Sequence, residues 1–299
     1  MRRRNLYFGC FMLLTVAVFQ SPLRGLARLA YERDAYSHIL LIPLISAFLI
    51  LLDRRKIFAW VEYRLEAGTI AIMAGLAVFY AARARSASLG RTDELTLAAL
   101  SLVVVWLGGF VGCYGLGALK AAAFPTLFLS LMIPTPDFLL NRVIYALQAG
   151  SAEVTCAVLR LAGAPVVKQG FLFSLPGFKI AVAHECSGIR SSLALLITSL
   201  LAGHFFLRSK WKRLSFSLMV IPVTIIKNGM RIAMISLLSV YVDRGFLTGK
   251  LHHYSGIPFS VVAVVMLLPL LWWLQQSENR RTSQQHEAAS GVPETLTAR

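Results

Sequence analysis

Long apolar runs of roughly twenty residues recur along this chain, separated by short polar segments. A helix of that length crosses the hydrocarbon core of a bilayer. The pattern predicts eight membrane-spanning helices, at 5–23, 38–52, 66–83, 95–113, 115–133, 187–207, 214–240 and 255–274. The first run resembles a signal peptide, but the further spans after it favour an uncleaved helix. The fold class is therefore an all-α polytopic membrane protein.

Segment 134–186 is the one large part of the chain that does not read as a span. Its first half carries an apolar stripe at helical spacing, interrupted only by Ser151 and opposite a polar face that includes Gln148. The apolar members are Leu140, Ile144, Leu147, Val154, Val158 and Leu161. This amphipathic pattern predicts a helix on the membrane surface or against the bundle. Two short apolar runs then flank Pro176-Gly177, which predicts a β-hairpin. We expect one domain, 1–275, that includes this insert, followed by a polar, disordered tail, 276–299.

Composition and charge support the membrane class and give an orientation. The chain is 57% hydrophobic and 15% charged, with a mean hydropathy of +0.67. Its net charge of +16 would suit a nucleic-acid partner, but the cations form short clusters between spans, as at 53–56 and 208–213. Such clusters mark cytoplasmic loops, so we expect no nucleic acid, both termini inside and the insert outside. The basic loop at 83–91 disagrees with this orientation.

The hairpin leads into "HECSGIRSS", 184–192, which places Cys186 at the start of the sixth span. Free backbone N–H groups and the helix dipole lower the pKa of a thiol there and favour the nucleophilic thiolate. Arg190, one turn later, adds a cation. Two other interpretations remain: a small buried apolar residue, or a disulfide with Cys156.

The seventh span contains Lys227, Asn228 and Arg231 in an otherwise apolar helix. Charges within a span are costly unless they are paired or face a polar cavity, so these residues are functional candidates. Lys227 and Arg231 are one turn apart and can face the same cavity. The alternative is a structural polar cluster that joins helices.

The segment "LHHYSG" places His252 and His253 before the eighth span, on the side expected for Cys186 and Arg231. A thiolate can attack a peptide carbonyl and form a thioester. A histidine can protonate the leaving amine and activate the incoming nucleophile, and an arginine can donate to the oxyanion. Such groups are assembled in space, so their separation in sequence is no obstacle.

Several segments, in this order, resemble the exosortase/archaeosortase family of multi-spanning cysteine transpeptidases. They are "YSHILLIPLISAFLIL", "IPTPDFLLNRV", "ECSGIRS", "NGMRI" and "HHYSG". The resemblance covers roughly 36–265, most of the chain.

The resemblance implies a role for each matched position. Cys186 would be the nucleophile, Arg231 the contact to the oxyanion or carbonyl, and His252 the acid and base. His252 is preferred to His253 because Gly256 lies four residues after it, as in the family's motif. The positions with supporting or substrate-binding roles are Glu185, Arg190, Asn228, His38 and His253.

The resemblance also implies a substrate and a location. The substrate would be a secreted protein with a C-terminal sorting signal: a short motif of the PEP-CTERM type, a hydrophobic span and a basic cluster. The enzyme would lie in the bacterial inner membrane with its site on the outer face, and would need no cofactor or metal. Arg190 or Arg142 would meet the carboxylate of the motif.

Two functions of other classes stay open. A zinc-dependent membrane hydrolase would use His184, Cys186, His252 and His253 as ligands. A transporter of anions or lipids would use Lys227 and Arg231, but it would leave Cys186 without a role.

Overall fold

A computed structural model describes residues 2–182, 188–243, 245 and 256–290, with the side chains of all of these except 256–257 and 281–290. The described residues are mostly helical. The helices are α1 (Arg2–Val18), α2 (Gln20–Glu32), α3 (Ile42–Leu52), α4 (Arg54–Ile57), α5 (Leu65–Ala84), α6 (Arg91–Ala121), α7 (Ala123–Leu129), α8 (Asp137–Leu161), α9 (Ile189–Phe206), α10 (Lys210–Leu218), α11 (Val220–Tyr241) and α12 (Gly256–Ser290). The strands are β1 (Val167–Gln169), β2 (Leu172–Leu175) and β3 (Phe178–Ala181).

Among the described residues, five helical segments are long and apolar enough to cross a membrane. They are Leu65–Ala84, Arg91–Ala121, Ile189–Phe206, Lys210–Tyr241 and Pro258–Arg280. The number rises to seven if each of two bent helix pairs counts as one span. The prediction of a helical, multi-spanning membrane protein is therefore confirmed, whereas a count of eight is not.

The predicted spans differ from the helices where the chain bends or a helix is short. The second predicted span, 38–52, contains only the 11-residue α3, and a helix of that length covers about 16 Å, roughly half of a bilayer core. The first predicted span, 5–23, is divided between α1 and α2, which meet at a 73° bend. Apolar runs specify burial in lipid or protein, but they do not specify where a helix turns.

The fifth predicted span, 115–133, is also divided. Its first residues belong to α6, which passes through Gly115 with a non-helical φ of 88°. The rest forms α7, a 3₁₀ turn and a 92° bend into α8. A glycine accepts this backbone conformation without a steric penalty, which the length of the apolar run does not reveal.

The chain divides into two compact units, Met1–Asn141 and Arg142–Arg299, and the division falls inside the expected single domain. In the first unit α5 and α6 pack at glycines. A Cβ added to Gly68 would lie 2.6 Å from the Gly112 Cα, and one added to Gly75 would lie 2.7 Å from Val105. Small residues let two apolar helices approach closely in a membrane, where water does not drive them together.

In the second unit α9, α10, α11 and α12 share an apolar core. Its buried members are Leu195, Leu207, Phe216, Val220, Val223, Ala263, Leu267, Leu271 and Leu274. Helix α12 continues past residue 275 to Ser290, through part of the expected disordered tail.

The small sheet confirms the predicted hairpin and adds a strand. β2 and β3 pair antiparallel around Pro176-Gly177, with Leu175 opposite Phe178. β1 pairs antiparallel with β2 across a turn that contains Gly170, where φ is 61°. The sheet packs through Phe173 and Leu175 on α8 and on the second half of α11. It thereby carries the chain from α8 toward the start of α9.

Candidate functional site

The structure describes some of the predicted site residues and not others. Those outside the described residues are His184, Glu185, Cys186, His252 and His253. Arg190, Lys227, Asn228 and Arg231 lie in the second unit, and His38 lies in the first. The described part of the site therefore consists of the residues on either side of segment 183–187 and of helix α11.

Val182, the last described residue before that segment, is held at its carbonyl by helix α8. The Gln148 side chain donates Nε2–H to the Val182 oxygen at 2.8 Å. The Val182 N–H donates in turn to the Phe171 oxygen at 2.9 Å. Gln148 is 8% exposed, although the sequence pattern placed it on the polar face of α8. Since a buried amide must be hydrogen-bonded, this contact explains why a glutamine can be buried here.

Gly188, the first described residue after the segment, precedes α9 in a left-handed conformation with φ 76°. A Cβ at this position would lie 3.3 Å from Cγ and Oδ1 of Asn228. The hydroxyls of Ser191 and Ser192 donate to the Gly188 carbonyl at 2.9 and 2.8 Å. Backbone conformation and close packing therefore both favour glycine at the start of this helix.

Asn228 connects this end of the segment to α8. It is fully buried and donates Nδ2–H to the Ser151 hydroxyl at 3.1 Å. The next residue, Gly229, brings the helices together: its carbonyl accepts from the Thr155 hydroxyl at 3.1 Å, and an added Cβ would lie 2.5 Å from Val154. Ser151 lies one turn after Gln148, so one face of α8 contacts both Val182 and Asn228.

Lys227 is 3% exposed and donates to the Ser191 hydroxyl. This bond joins α11 to the first turn of α9. A buried cation in an apolar helix is costly unless it has a polar partner, and Ser191 provides one. The contact fits the interpretation of a polar cluster that joins helices.

Arg231 follows Lys227 by one turn on α11 and is half-buried, while Arg190 is exposed in the first turn of α9. A guanidinium remains charged at any ordinary pH and can donate to several oxygens at once. Both side chains therefore suit contacts to carbonyl or carboxylate oxygens.

In the first unit, two of the segments that carry the family resemblance meet. Tyr36 is the first residue of "YSH", and its hydroxyl donates to the carbonyl of Thr135 in "PTPD" at 2.8 Å. Burial raises the pKa of Tyr36 to about 12. His38 is half-buried, and burial lowers its pKa more than backbone groups of Leu131 and Ala35 raise it. His38 is therefore neutral near pH 7, which suits a supporting position rather than a cationic one.

The described cysteines bear on the disulfide alternative. Cys156 is a free thiol, 4% exposed, in the core between α8, the sheet and α11. Cys10 and Cys113 are free as well. The disulfide between Cys156 and Cys186 that the sequence left open is therefore wrong: Cys156 serves as a small apolar residue.

Across 2–182, 188–243 and the final helix, no group of three or more His, Cys, Asp or Glu side chains could hold a metal ion. The four ligands of the zinc alternative lie outside the described residues.

The helices and their buried polar contacts define a multi-spanning membrane protein with a polar cluster where α8, α9 and α11 meet. The model of the transmembrane exosortase family matches residues 30–269, most of the chain. The chain therefore belongs to the transmembrane exosortase family. Comparisons with curated proteins and with solved structures find no match.

Sequence reasoning missed three residues that hold this cluster together: Gln148, Ser151 and Ser191. Each is a polar residue whose partner lies on another element, so no local pattern identifies it. Ser151 gave a partial signal, because it interrupts the apolar stripe of α8 without ending the helix.

Proposed function

We propose that this protein is a membrane-embedded cysteine transpeptidase that removes the C-terminal sorting signal of secreted proteins. The observation that carries the proposal is the family match, because residues 30–269 include Cys186, Arg231 and His252. These residues stand in the segments "ECSGIRS", "NGMRI" and "HHYSG".

Each of these residues has one role in the proposed reaction. The Cys186 thiolate attacks the scissile carbonyl carbon, and Arg231 donates hydrogen bonds to the oxyanion that forms. His252 gives a proton to the leaving amine, so that the C–N bond breaks and a thioester remains. The same histidine then takes a proton from the acceptor nucleophile, which attacks the thioester and frees the thiolate.

The described contacts fix the residues on either side of the nucleophile's segment, which supports the proposal. Gln148 holds Val182 on one side of residues 183–187, and Asn228 packs against Gly188 on the other. Small misplacements of a reacting group cost large factors in rate, so an enzyme benefits from such fixed ends. Arg231 lies on the same helix as Asn228, one turn further along.

The proposed substrate presents its motif beside the bundle. Its hydrophobic tail lies in the bilayer, and the preceding motif reaches the outer membrane surface. Arg190 and Arg142 are both exposed and suit a carboxylate in that motif, because guanidinium and carboxylate form paired hydrogen bonds.

The decisive experiment replaces Cys186 with alanine in the native host and follows a tagged secreted protein that carries a sorting tail. We expect wild type to shorten the substrate, and Cys186→Ala to accumulate full-length, membrane-held substrate. Mass spectrometry of the shortened product locates the new C-terminus. Cys10→Ala, which removes an exposed thiol elsewhere, is the matched control and should process normally.

Unchanged processing by Cys186→Ala would contradict the proposal and favour a binding or transport role for Lys227 and Arg231. If processing stops, Arg231→Ala and the two single variants His252→Ala and His253→Ala follow. Loss of processing by His252→Ala but not by His253→Ala would assign the acid and base.

A further inference from the structure

A cavity of about 550 Å³ lies where the end of α9, the start of α10 and the second half of α12 meet. These are the ends of three candidate spans, so the cavity lies at one membrane face. Gly188 and the contacts around it are at the opposite end of α9. The cavity is therefore separate from the proposed reaction site.

Hydrogen bonds hold the walls of this cavity together. Arg213 donates Nε–H to the Leu207 carbonyl at 2.8 Å, and one of its terminal nitrogens lies 3.5 Å from Nδ1 of His204. Gln275 donates to the Phe206 carbonyl at 3.3 Å. Three elements are thus fixed relative to one another around the cavity.

The cavity carries positive charge. Arg208 and Arg213 line it, and they belong to "RSKWKR", 208–213, which has four cations and no acid. The carboxylate of Glu278 also lines it, but its two oxygens accept the backbone N–H groups of Arg208 and Ser209, each at 2.9 Å. That carboxylate is therefore engaged with the start of α10, and its negative charge still leaves a net charge of +1 among Arg208, Arg213 and Glu278 to attract an anion.

The rim of the cavity is aromatic. Phe205, Phe206 and Trp272 line it and are 50%, 57% and 60% exposed. Aromatic side chains are typical of the boundary between headgroups and acyl chains. An occupant of this cavity would meet both cations and apolar rings, as an anionic phospholipid requires.

We propose that this cavity binds the phosphate group of an anionic phospholipid, with Arg208 and Arg213 donating to its oxygens and the aromatic rim contacting its acyl chains. Guanidinium groups suit this ligand because they form paired hydrogen bonds with phosphate. The bound lipid would join α9 to α12 at the face opposite Gly188. This function is independent of the proposed reaction.

The test uses the full chain in mild detergent with equal amounts of phosphatidylglycerol and phosphatidylcholine, and native mass spectrometry counts the retained lipid. Wild type should retain phosphatidylglycerol in preference. In the double variant Arg208→Gln/Arg213→Gln this preference should fall about fivefold for each arginine removed. One cation near an anionic lipid strengthens binding by about that factor. Arg208→Lys/Arg213→Lys should keep most of it.

The matched control is Arg54→Gln/Arg55→Gln, which removes the same charge from another exposed basic segment. It should retain the wild-type preference. An equal loss of preference in both double variants would show a general effect of charge and would contradict a lipid-binding site in this cavity. Retention of the phosphatidylglycerol preference by Arg208→Gln/Arg213→Gln would also contradict this lipid-binding site.

Two further measurements complete the test. Inorganic phosphate in excess should leave the phosphatidylglycerol bound; complete displacement would identify a soluble anion as the ligand instead of a lipid. If the glutamine variant does not fold, photoactivatable phosphatidylglycerol is used with wild type. Labelling should fall on peptides from 204–213 or 272–279, and labelling confined to other peptides would contradict the proposal.

Discussion

At the scale of single residues, Gly188 is a position where the backbone conformation and the packing both require glycine. Its left-handed conformation disfavours any side chain, and Asn228 leaves little room for one. Gly163 has nearly the same conformation, with φ 72°, but nothing lies within 4 Å of an added Cβ. Substitutions at these two glycines therefore distinguish the effect of backbone strain alone, at Gly163, from strain combined with contact to Asn228, at Gly188.

We expect Gly163→Ala to destabilise the protein by about 1–2 kcal/mol, because it forces alanine into a left-handed conformation. Gly188→Ala should cost at least as much, because its Cβ also meets Asn228. Only Gly188→Ala should also slow removal of the sorting tail, by up to about 100-fold, since it shifts the start of α9 next to Cys186. Thermal unfolding in detergent and the rate of tail removal are measured for both. Equal rates in the two variants would show that Gly188 does not position the site.

Gln148 allows a second prediction at this scale. Gln148→Leu leaves the buried Val182 carbonyl without its donor, so we expect a loss of about 1–3 kcal/mol in stability and slower processing. The control is Asn141→Leu, which removes an exposed amide from the same helix. Thermal unfolding in detergent and the rate of tail removal are measured for both variants. A Gln148→Leu protein that matches the Asn141→Leu protein in both would rule out a positioning role.

At the scale of elements, α8 shows how much of a helix's buried face a periodic sequence pattern can predict. The apolar stripe correctly predicts a helix and buries Leu140, Ile144 and Leu147. In the second half of α8 the buried residues are Ser151, Ala152, Thr155, Cys156 and Leu159, whereas Leu161 at the end of the predicted stripe is 89% exposed. This half of α8 packs on the sheet and α11, and its contacts include hydrogen bonds of the Ser151 and Thr155 hydroxyls to α11, which hydrophobicity does not encode.

The packing of α5 on α6 gives the prediction for this scale. Gly68→Ala places a Cβ 2.6 Å from the Gly112 Cα and 2.8 Å from the Gly108 oxygen, both backbone atoms that cannot rotate away. The helices must separate, and we expect a loss of about 1–3 kcal/mol in thermal unfolding.

Gly9→Ala is the control, because Gly9 is also within a helix but has nothing within 4 Å of an added Cβ. It should be neutral or stabilise the protein by up to about 1 kcal/mol, owing to the better helix propensity of alanine. A Gly68→Ala protein as stable as the Gly9→Ala protein would contradict the close approach of the two helices.

At the scale of the whole molecule, orientation in the membrane follows from charge. The basic segment 208–213 is expected inside the cell, and the small sheet outside. Cysteines are introduced singly, in place of exposed Val167 or exposed Lys210, in a protein whose own four cysteines are replaced.

We expect Val167→Cys to react with a membrane-impermeant maleimide on intact spheroplasts, and Lys210→Cys to react only after the membrane is permeabilised. Protection from the reagent follows from the side of the membrane on which each residue lies. The reverse pattern would place the sheet in the cytoplasm and exclude an outer-face site for the proposed reaction.

Much of the fold and part of the candidate site could be predicted from sequence. Runs such as 66–83 and 187–207 predicted the spans α5 and α9, and Pro176-Gly177 predicted the hairpin between β2 and β3. The count of eight is not confirmed, because bends, such as that at Gly115, depend on packing and backbone geometry. The roles of Cys186 and His252 stay predictions, since both residues lie outside the described part of the chain.

The sequence by itself determined the membrane class, the family and the residue types available for chemistry, because run length and motif identity are local properties of the chain. Only the tertiary structure decided how the residues that flank the candidate segment are held. The bonds from Gln148 to Val182 and from Asn228 to Ser151 join residues 34 and 77 positions apart. Such partners become neighbours only when helices pack, and their burial then makes the hydrogen bonds obligatory.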